Sequence, residues 1–453
     1  MKLINFKATN VNGYLSFDIN FYEDITYLIG LNGCGKTTVL KLISGLLLPS
    51  YDYLATIMYD SIEITLKDND QNYYISSRKD KQKITITLND EKPSSFQLIS
   101  CEDYQISKNE GFITPQLSNI YRAFDKSELI QKIRQLSDPI ILGLNRRIPS
   151  KRINIDREDY INRRAGYNIR RNNYSELDIA LFDIRDLMFS QVRQNAAQQK
   201  FITANFREAL IKETMRLSDF NSIEKVFSGK INFAEEKKKL EKKEKDITLV
   251  INNLGISELK DSINTYFREE KELLLSLDKA MNDKSVDEKT RIETVSPLMM
   301  KWVLNGSQLE KIDKINELGN KYNAEIDRLN SNMVRLKNSL NIFFEETGKK
   351  IDITGDGNIE VILPNGDKNS IFNLSSGEKQ LIILFGHVIF SSDINGIFII
   401  DEPELSLHLS WQEKFVKALL EANPSTQFIL ATHAPAIINE TNSLNKCINL
   451  SKK

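Results

Sequence analysis

Apolar and polar positions alternate from the start of the chain. Leu3, Ile4 and Phe6 open one strand. Leu15, Phe17, Ile19 and Phe21 alternate with polar residues in a second, the two-residue period of a half-buried strand. Residues 25–29 are almost wholly apolar, as expected of a strand buried on both faces, and the run ends at Gly30. Residues 37–48 carry a helical pattern that stops before Pro49. Residues 61–66, 83–88 and 140–142 have strand character. From about 146 to 346 the pattern turns helical. Tyr322, Ile326, Leu329, Met333, Leu336, Leu340 and Phe343 are spaced alternately by 4 and 3, about three heptads, the least that makes a coiled-coil seam. This predicts a helix over residues 308–346, roughly 58 Å long. After Gly348, residues 351–353 and 359–363 flank Asp356-Gly357-Asn358 as a hairpin. Helix and strand patterns then alternate to the end, as in an α/β sheet. The expected organisation is an α/β head in two lobes, residues 1–145 and 347–453, interrupted by a helical insertion at 146–346.

Composition narrows the picture. The chain has 453 residues, with 61 Lys and Arg against 62 Asp and Glu. That balance excludes a histone-like protein binding through bulk charge. A hydrophobic share of 41% is enough for a real core. Three cysteines, at 34, 101 and 447, have no paired spacing, which excludes a zinc ribbon or a disulfide scaffold and implies a reducing compartment. Three histidines, at 387, 408 and 433, leave little material for a His-rich metal nuclease. The first ten residues lack the apolar core of a signal peptide. The longest apolar run, 381–390, is too short to span a bilayer. The expectation is a soluble cytoplasmic protein with no membrane partner.

The balanced total hides a local excess. Between residues 146 and 171, nine arginines and lysines face three acids. Tyr160, Tyr167 and Tyr174 lie among or beside them, so the stretch suits nucleic-acid phosphates and stacked bases. It equally suits a solvated face or a surface that docks a partner or a second subunit. The Lys/Glu run at 235–246 reads as a solvated helix face.

Several short motifs carry chemistry. Gly30-Leu31-Asn32-Gly33-Cys34-Gly35-Lys36-Thr37-Thr38 matches G-x-x-x-x-G-K-[ST] between a predicted strand and a predicted helix. Its backbone N–H groups and the helix N-terminus suit a bound phosphate chain. Lys36 would reach the β- and γ-phosphates, and the Thr37 hydroxyl would join a Mg²⁺ shell. Residues 396–400 form an apolar strand that delivers Asp401 and Glu402 at its end. Asp401 suits a Mg²⁺ ligand acting through water, and Glu402 suits polarisation of an attacking water. Taken alone, the two acids are equally compatible with a solvated turn beside Pro403. A second apolar strand, 428–432, ends in His433, where it can meet a γ-phosphate, though a lone histidine is more often structural. Ser375, Ser376, Gly377 and Glu378 open a further helix. They form a second anion-binding N-terminus or a plain helix cap.

In this order, the motifs resemble those of the ATP-binding-cassette ATPases. Residues 374–380, Leu-Ser-Ser-Gly-Glu-Lys-Gln, look like the signature motif. Asp401 and Glu402 match Walker B and its catalytic glutamate, residues 404–408 occupy the D-loop position, and His433 matches the switch histidine. The resemblance covers roughly residues 1–50 and 370–440. The wide gap between Walker A and the signature is similar to the structural-maintenance-of-chromosomes and DNA-repair branch, with its inserted coiled-coil arm. Asp401-Glu402-Pro403-Glu404 with Leu407-His408, and Ala431-Thr432-His433-Ala434-Pro435, look like the prokaryotic ATPases of overcoming-lysogenization-defect type. That group includes ATPases of the PARIS, Septu and retron anti-phage systems. The resemblance implies an ATPase using ATP and Mg²⁺. It implies a homodimer or higher assembly, in which Ser376 and Gly377 of one copy meet the nucleotide held by Asn32–Thr38 of another. It also implies a sensor or scaffold role in defence. Eighteen residues follow Pro435, too few for the TOPRIM nuclease domain of some relatives, so the expected effector is a separate nuclease. The alternative is a DNA-maintenance ATPase acting directly on DNA. Gln116 is a weak candidate for the Q-loop glutamine.

Overall fold

The computed structural model describes residues 1–68, 71–99, 115–136, 139–143, 175–215, 232–253, 260–283, 285, 287–390, 396–438 and 444–451. The basic stretch at 146–171 and Cys101 lie outside them. The chain divides into two units. One comprises Met1–Val192 with Asn332–Lys453, and the other Arg193–Ser331. The fold is mixed α/β with a long helical insertion.

The first unit is built on two main sheets. An antiparallel sheet places Leu15–Asn20 beside Lys2–Val11, followed by Ser61–Asp68, Gln71–Lys79, Lys83–Leu88 and Ser94–Gln97. Its alternation is visible residue by residue: Leu15, Phe17 and Ile19 are buried, and Ser16, Asp18 and Asn20 between them are exposed. A five-stranded sheet runs in the order Cys447–Asn449, Ile25–Ile29, Gln427–Ala431, Ile397–Asp401 and Ile140–Leu142, with every neighbouring pair parallel. Its central strands are apolar throughout because both faces are covered. Ile397, Ile399 and Ile429 face a core shared with the antiparallel sheet and the helix Lys36–Leu47. Phe398, Ile400, Phe428 and Leu430 face the opposite core, with the helices Ser376–Phe390 and Leu409–Ala422. A hairpin, Lys350–Ile353 with Ile359–Ile362, carries a third short strand, Lys368–Asn369.

The helix expected over 308–346 is longer, running Glu288–Phe344 and passing through Pro297. The lower part of its apolar stripe is not arm-like. Leu336, Leu340 and Phe343 are buried in the core of the first unit. In the second unit, the helices Phe233–Asn253 and Lys260–Asn282 pack Leu240, Ile247, Ile251, Phe267 and Leu277 around Trp302 and Leu309. The Lys/Glu run is therefore only partly a solvated face, since Leu240 is buried within it. Among the described residues no helix is long and apolar enough to cross a membrane.

The two main sheets are stitched by one buried amide. Gln427 Oε1 accepts from the Leu3 N–H at 2.7 Å, and its Nε2 donates to the carbonyls of Leu3 and Tyr22, each at 2.8 Å. Gln427→Leu leaves these buried backbone groups without their partner, at an expected cost of about 2–5 kcal/mol. Urea unfolding of the two proteins checks it. A loss below about 0.5 kcal/mol would mean that apolar contact alone joins the sheets.

Candidate functional site

Parallel pairing decides where the motifs meet. Ile25–Ile29, Gln427–Ala431 and Ile397–Asp401 are adjacent and point the same way, so the segments that follow them leave at one edge of the sheet. Those segments are the glycine-rich loop, Glu402 and its turn, and Thr432-His433. Crevices at the carboxyl ends of parallel strands are where such sheets bind ligands.

In the loop, Gly35 is the N-cap of the helix Lys36–Leu47 and has φ 96°, a left-handed conformation that disfavours any side chain. A Cβ there would also lie 2.9 Å from the Phe17 ring. Asn32 and Gly33 are exposed at the tip, Cys34, Thr37 and Thr38 are half-buried, and Lys36 is buried. The Lys36 ammonium donates to the Gly30 carbonyl at 3.1 Å and lies 2.5 Å from His433 Nε2. Thr37 Oγ1 donates to Asp401 Oδ2 at 3.0 Å. These two hard oxygens stand side by side at the loop. They fit Mg²⁺, which takes few protein ligands and shares the rest of its shell with phosphate and water.

Glu402 adopts φ 48°, a left-handed backbone for a non-glycine residue, while its N–H is held by the Ala431 carbonyl at 2.9 Å. Such strained residues gather at functional sites. Glu402 Oε1 lies 3.5 Å from His433 Nε2. Burial, a hydrogen bond with Glu404 and the charges of Glu404 and Asp401 push its carboxyl up to about 7, against the pull of Lys36. Lys36, Thr37, Asp401, Glu402 and His433 thus come together from three chain segments.

The signature residues sit at a different place. Ser375 and Glu378 satisfy each other at the start of the helix Ser376–Phe390. Glu378 Oε2 accepts from the Ser375 N–H and hydroxyl, each at 2.9 Å, and the Glu378 N–H returns to Ser375 Oγ at 3.4 Å. This is a capping box. Glu378 also accepts from Lys349 at 2.7 Å. Burial pushes its carboxyl up, but Lys349 and Ser375 outweigh this and hold it below the usual range. Ser376 is exposed, and none of the contacts described for Ser375–Glu378 reaches the glycine-rich loop. Gly377 packs on the turn after Glu402, where a Cβ would lie 2.4 Å from the Ser406 carbonyl oxygen.

Set beside known proteins, residues 1–438 match the family described as AAA ATPase domain. The chain belongs to that family. The AAA ATPase is 35% identical over 146 residues to the retron Vc95 probable ATPase of Vibrio cholerae serotype O1 biovar El Tor, covering 29% of this chain and 28% of that protein. It is 33% identical over 94 residues to the retron Ec83 probable ATPase of Escherichia coli, covering 17% of each. The matched segments thus span under a third of either relative. Among solved structures, the Smc head domain from Pyrococcus furiosus aligns over 99% of this chain and 92% of its own, at 13% identity and a TM-score of 0.39. The SMC head domain from Thermotoga maritima aligns over 97% and 91%, at 12% identity and a TM-score of 0.38.

The remaining candidates of the ATPase fall elsewhere. His408 caps the helix Leu409–Ala422 by accepting from the Ser410 N–H. His387 is buried in the helix Ser376–Phe390, and burial pushes it down to about 3, so it stays neutral. Gln116 is exposed in the first turn of the helix Pro115–Lys126. Sequence reasoning placed Glu404 only at the D-loop position and missed its hold on the backbone of His433, and it missed Ser451, whose hydroxyl accepts from the Leu31 N–H at 2.8 Å. The Asp-Glu-Pro-Glu run hinted at the first. No pattern marks the second, because the contact spans 420 positions.

Gly377 and Ser376 separate the structural role of this motif from its exposed surface. Gly377→Ala is expected to destabilise the protein by about 1–3 kcal/mol, because the obstruction is backbone and must shift. Ser376→Ala should stay within about 0.5 kcal/mol of the parent. Chemical denaturation of both variants checks the contrast.

Proposed function

We propose that this AAA ATPase binds and hydrolyses ATP at the Lys36, Thr37, Asp401, Glu402 and His433 cluster. In this reading it is a nucleotide-driven sensor or scaffold in an anti-phage defence system and controls a separate nuclease effector. The observation that carries the chemical part is the convergence of those five side chains at the ends of three parallel strands. The likeness to two retron probable ATPases supports the defence part.

Each residue has a task that its position suits. The backbone of Asn32–Thr38 and the helix behind it receive the phosphates. Lys36 can turn from the Gly30 carbonyl and His433 to the β- and γ-phosphates without leaving the site. Mg²⁺ on Thr37 and Asp401 would neutralise phosphate charge when bound. Glu402 orients the attacking water and accepts its proton. His433, between Lys36 and Glu402, donates to the γ-phosphate. Ser376 and Gly377, away from their own loop, serve the nucleotide of a second copy, so ATP joins two heads and hydrolysis frees them. Such a cycle is a population shift driven by differential affinity for the two assemblies.

The test combines turnover with assembly state. Wild-type protein should release phosphate from ATP. Lys36→Ala should lose nucleotide binding by about tenfold or more. Glu402→Gln should bind ATP, lower turnover by about a hundredfold or more and accumulate as a dimer or higher assembly in light scattering. An ATP-loaded Glu402→Gln protein that stays monomeric removes the sandwich from this reading. Turnover unaffected by either substitution removes the site.

A further inference from the structure

We propose that Glu404 is a positioning residue of the ATPase: its carboxylate clamps the backbone that follows the strand Gln427–Ala431 and so fixes where the His433 ring stands. The inference rests on the ATPase reading above.

Glu404 Oε1 accepts from the N–H of His433 at 2.7 Å and from the N–H of Ala434 at 3.1 Å. Those amides come just after the sheet pairing ends. The Thr432 N–H is still taken by the Leu28 carbonyl at 3.2 Å, on the neighbouring strand. One residue later the partner is a side-chain carboxylate from a segment 29 positions earlier. The Thr432 hydroxyl helps by accepting from Ala434 N–H at 3.0 Å. Past the end of the sheet pairing these amides need another acceptor, and a side-chain carboxyl oxygen supplies it. Two on one oxygen are an anchor rather than an incidental contact.

Glu404 is itself held. The Leu405 N–H donates to the Glu402 carbonyl at 3.2 Å, and the Leu407 N–H donates to the Glu404 carbonyl at 2.9 Å. Pro403 and Leu407 on either side are buried. Ser406 takes a left-handed φ of 64°, and its carbonyl lies against Gly377. The clamp is therefore rigid at both ends. It holds the imidazole between the Lys36 ammonium, 2.5 Å from Nε2, and Glu402 Oε1, 3.5 Å from the same atom. Losing the clamp frees the backbone bearing His433 while leaving the glycine-rich loop and its contacts intact. The step affected is the chemistry and not the capture of ATP, because a displacement of about 1 Å in a reacting constellation can cost a hundredfold.

The acceptor role makes a distinctive demand. Glutamine keeps a carbonyl oxygen at the same reach and alanine keeps none. Steady-state turnover and amide hydrogen exchange over residues 432–434 should be measured for wild type, Glu404→Ala, Glu404→Gln, His433→Ala and the Glu404→Ala/His433→Ala pair. In Glu404→Ala, kcat is expected to fall about tenfold or more with KM for ATP within about threefold. Glu404→Gln should recover to within about threefold of wild type. In the His433→Ala background the further loss should be under about threefold, since the two act as one unit. Exchange at His433, whose N–H bonds to Glu404, should be slow in wild type and Glu404→Gln and fast in Glu404→Ala. Glutamine as damaging as alanine, an undiminished loss without the imidazole, or a protected His433 amide in Glu404→Ala would each overturn the proposal. If wild type shows no Lys36-dependent turnover, the ATPase reading fails instead, and the exchange arm alone still decides whether Glu404 holds the loop.

Discussion

The parallel alignment of three strands is the constraint on which the site depends. Ile25–Ile29 lies nearly the whole sequence away from Gln427–Ala431 and Ile397–Asp401, yet the three strands are hydrogen-bonded neighbours in one sheet. Their apolar residues feed two cores at once, with odd positions of the Ile397 strand on one side and even positions on the other. A slip of one residue would turn every side chain to the opposite face. Burial on both sides therefore fixes the register, and the register fixes the heights at which Gly30, Asp401 and His433 emerge. Site precision is thus a by-product of core packing.

Around that frame, a few buried polar groups do the joining that apolar contact cannot. Gln427 links the sheets through backbone atoms of Leu3 and Tyr22. Asn341 does the same between the end of the long helix and the hairpin. It accepts from the Ile351 N–H at 2.7 Å and donates to the Ile351 carbonyl at 3.0 Å. At the site the balance is different. Asp401, Glu402 and Glu404 crowd three carboxyl groups beside one buried lysine, and the raised Glu402 carboxyl reflects that crowding along with its burial. Such an arrangement is poor for stability and suited to chemistry, as expected where local rules are broken.

Much of this was legible in the sequence because the features are local. The glycine-rich loop needs glycine where φ is positive, and the strands before it and before Asp401 needed only continuous apolar runs. The Leu15–Phe21 alternation likewise became a half-buried strand. What was not legible depended on distant partners. Leu336, Leu340 and Phe343 keep heptad spacing, yet their partners are the head's own helices. Spacing alone does not say what a stripe faces. The heptad pattern starts the helix at 308, yet it begins at Glu288 and passes through Pro297; a proline removes one hydrogen bond and distorts one turn, and the helix continues on the packing of Trp302 and Leu309. Ser375 and Glu378 were legible as residues at a helix start. That they bond to each other depends on which rotamers the surrounding packing leaves, and Lys349 could not have been foreseen as their neighbour.

The ion pairs on the first turn of the helix Ser376–Phe390 have a consequence for modularity. Lys379 holds Asp178 at 2.7 Å, and Glu378 holds Lys349 at the same distance. Asp178 lies in the first turn of the helix by which the chain departs from the sheets, and Lys349 lies just past the helix by which it returns. The points of departure and return are thus gripped by two consecutive residues. Chain inserted between such close anchors pays little extra loop-closure entropy as it lengthens. The segment between them can therefore be lengthened, shortened or exchanged over evolution while the sheets and the site they build stay the same. One head of this design can carry many different insertions.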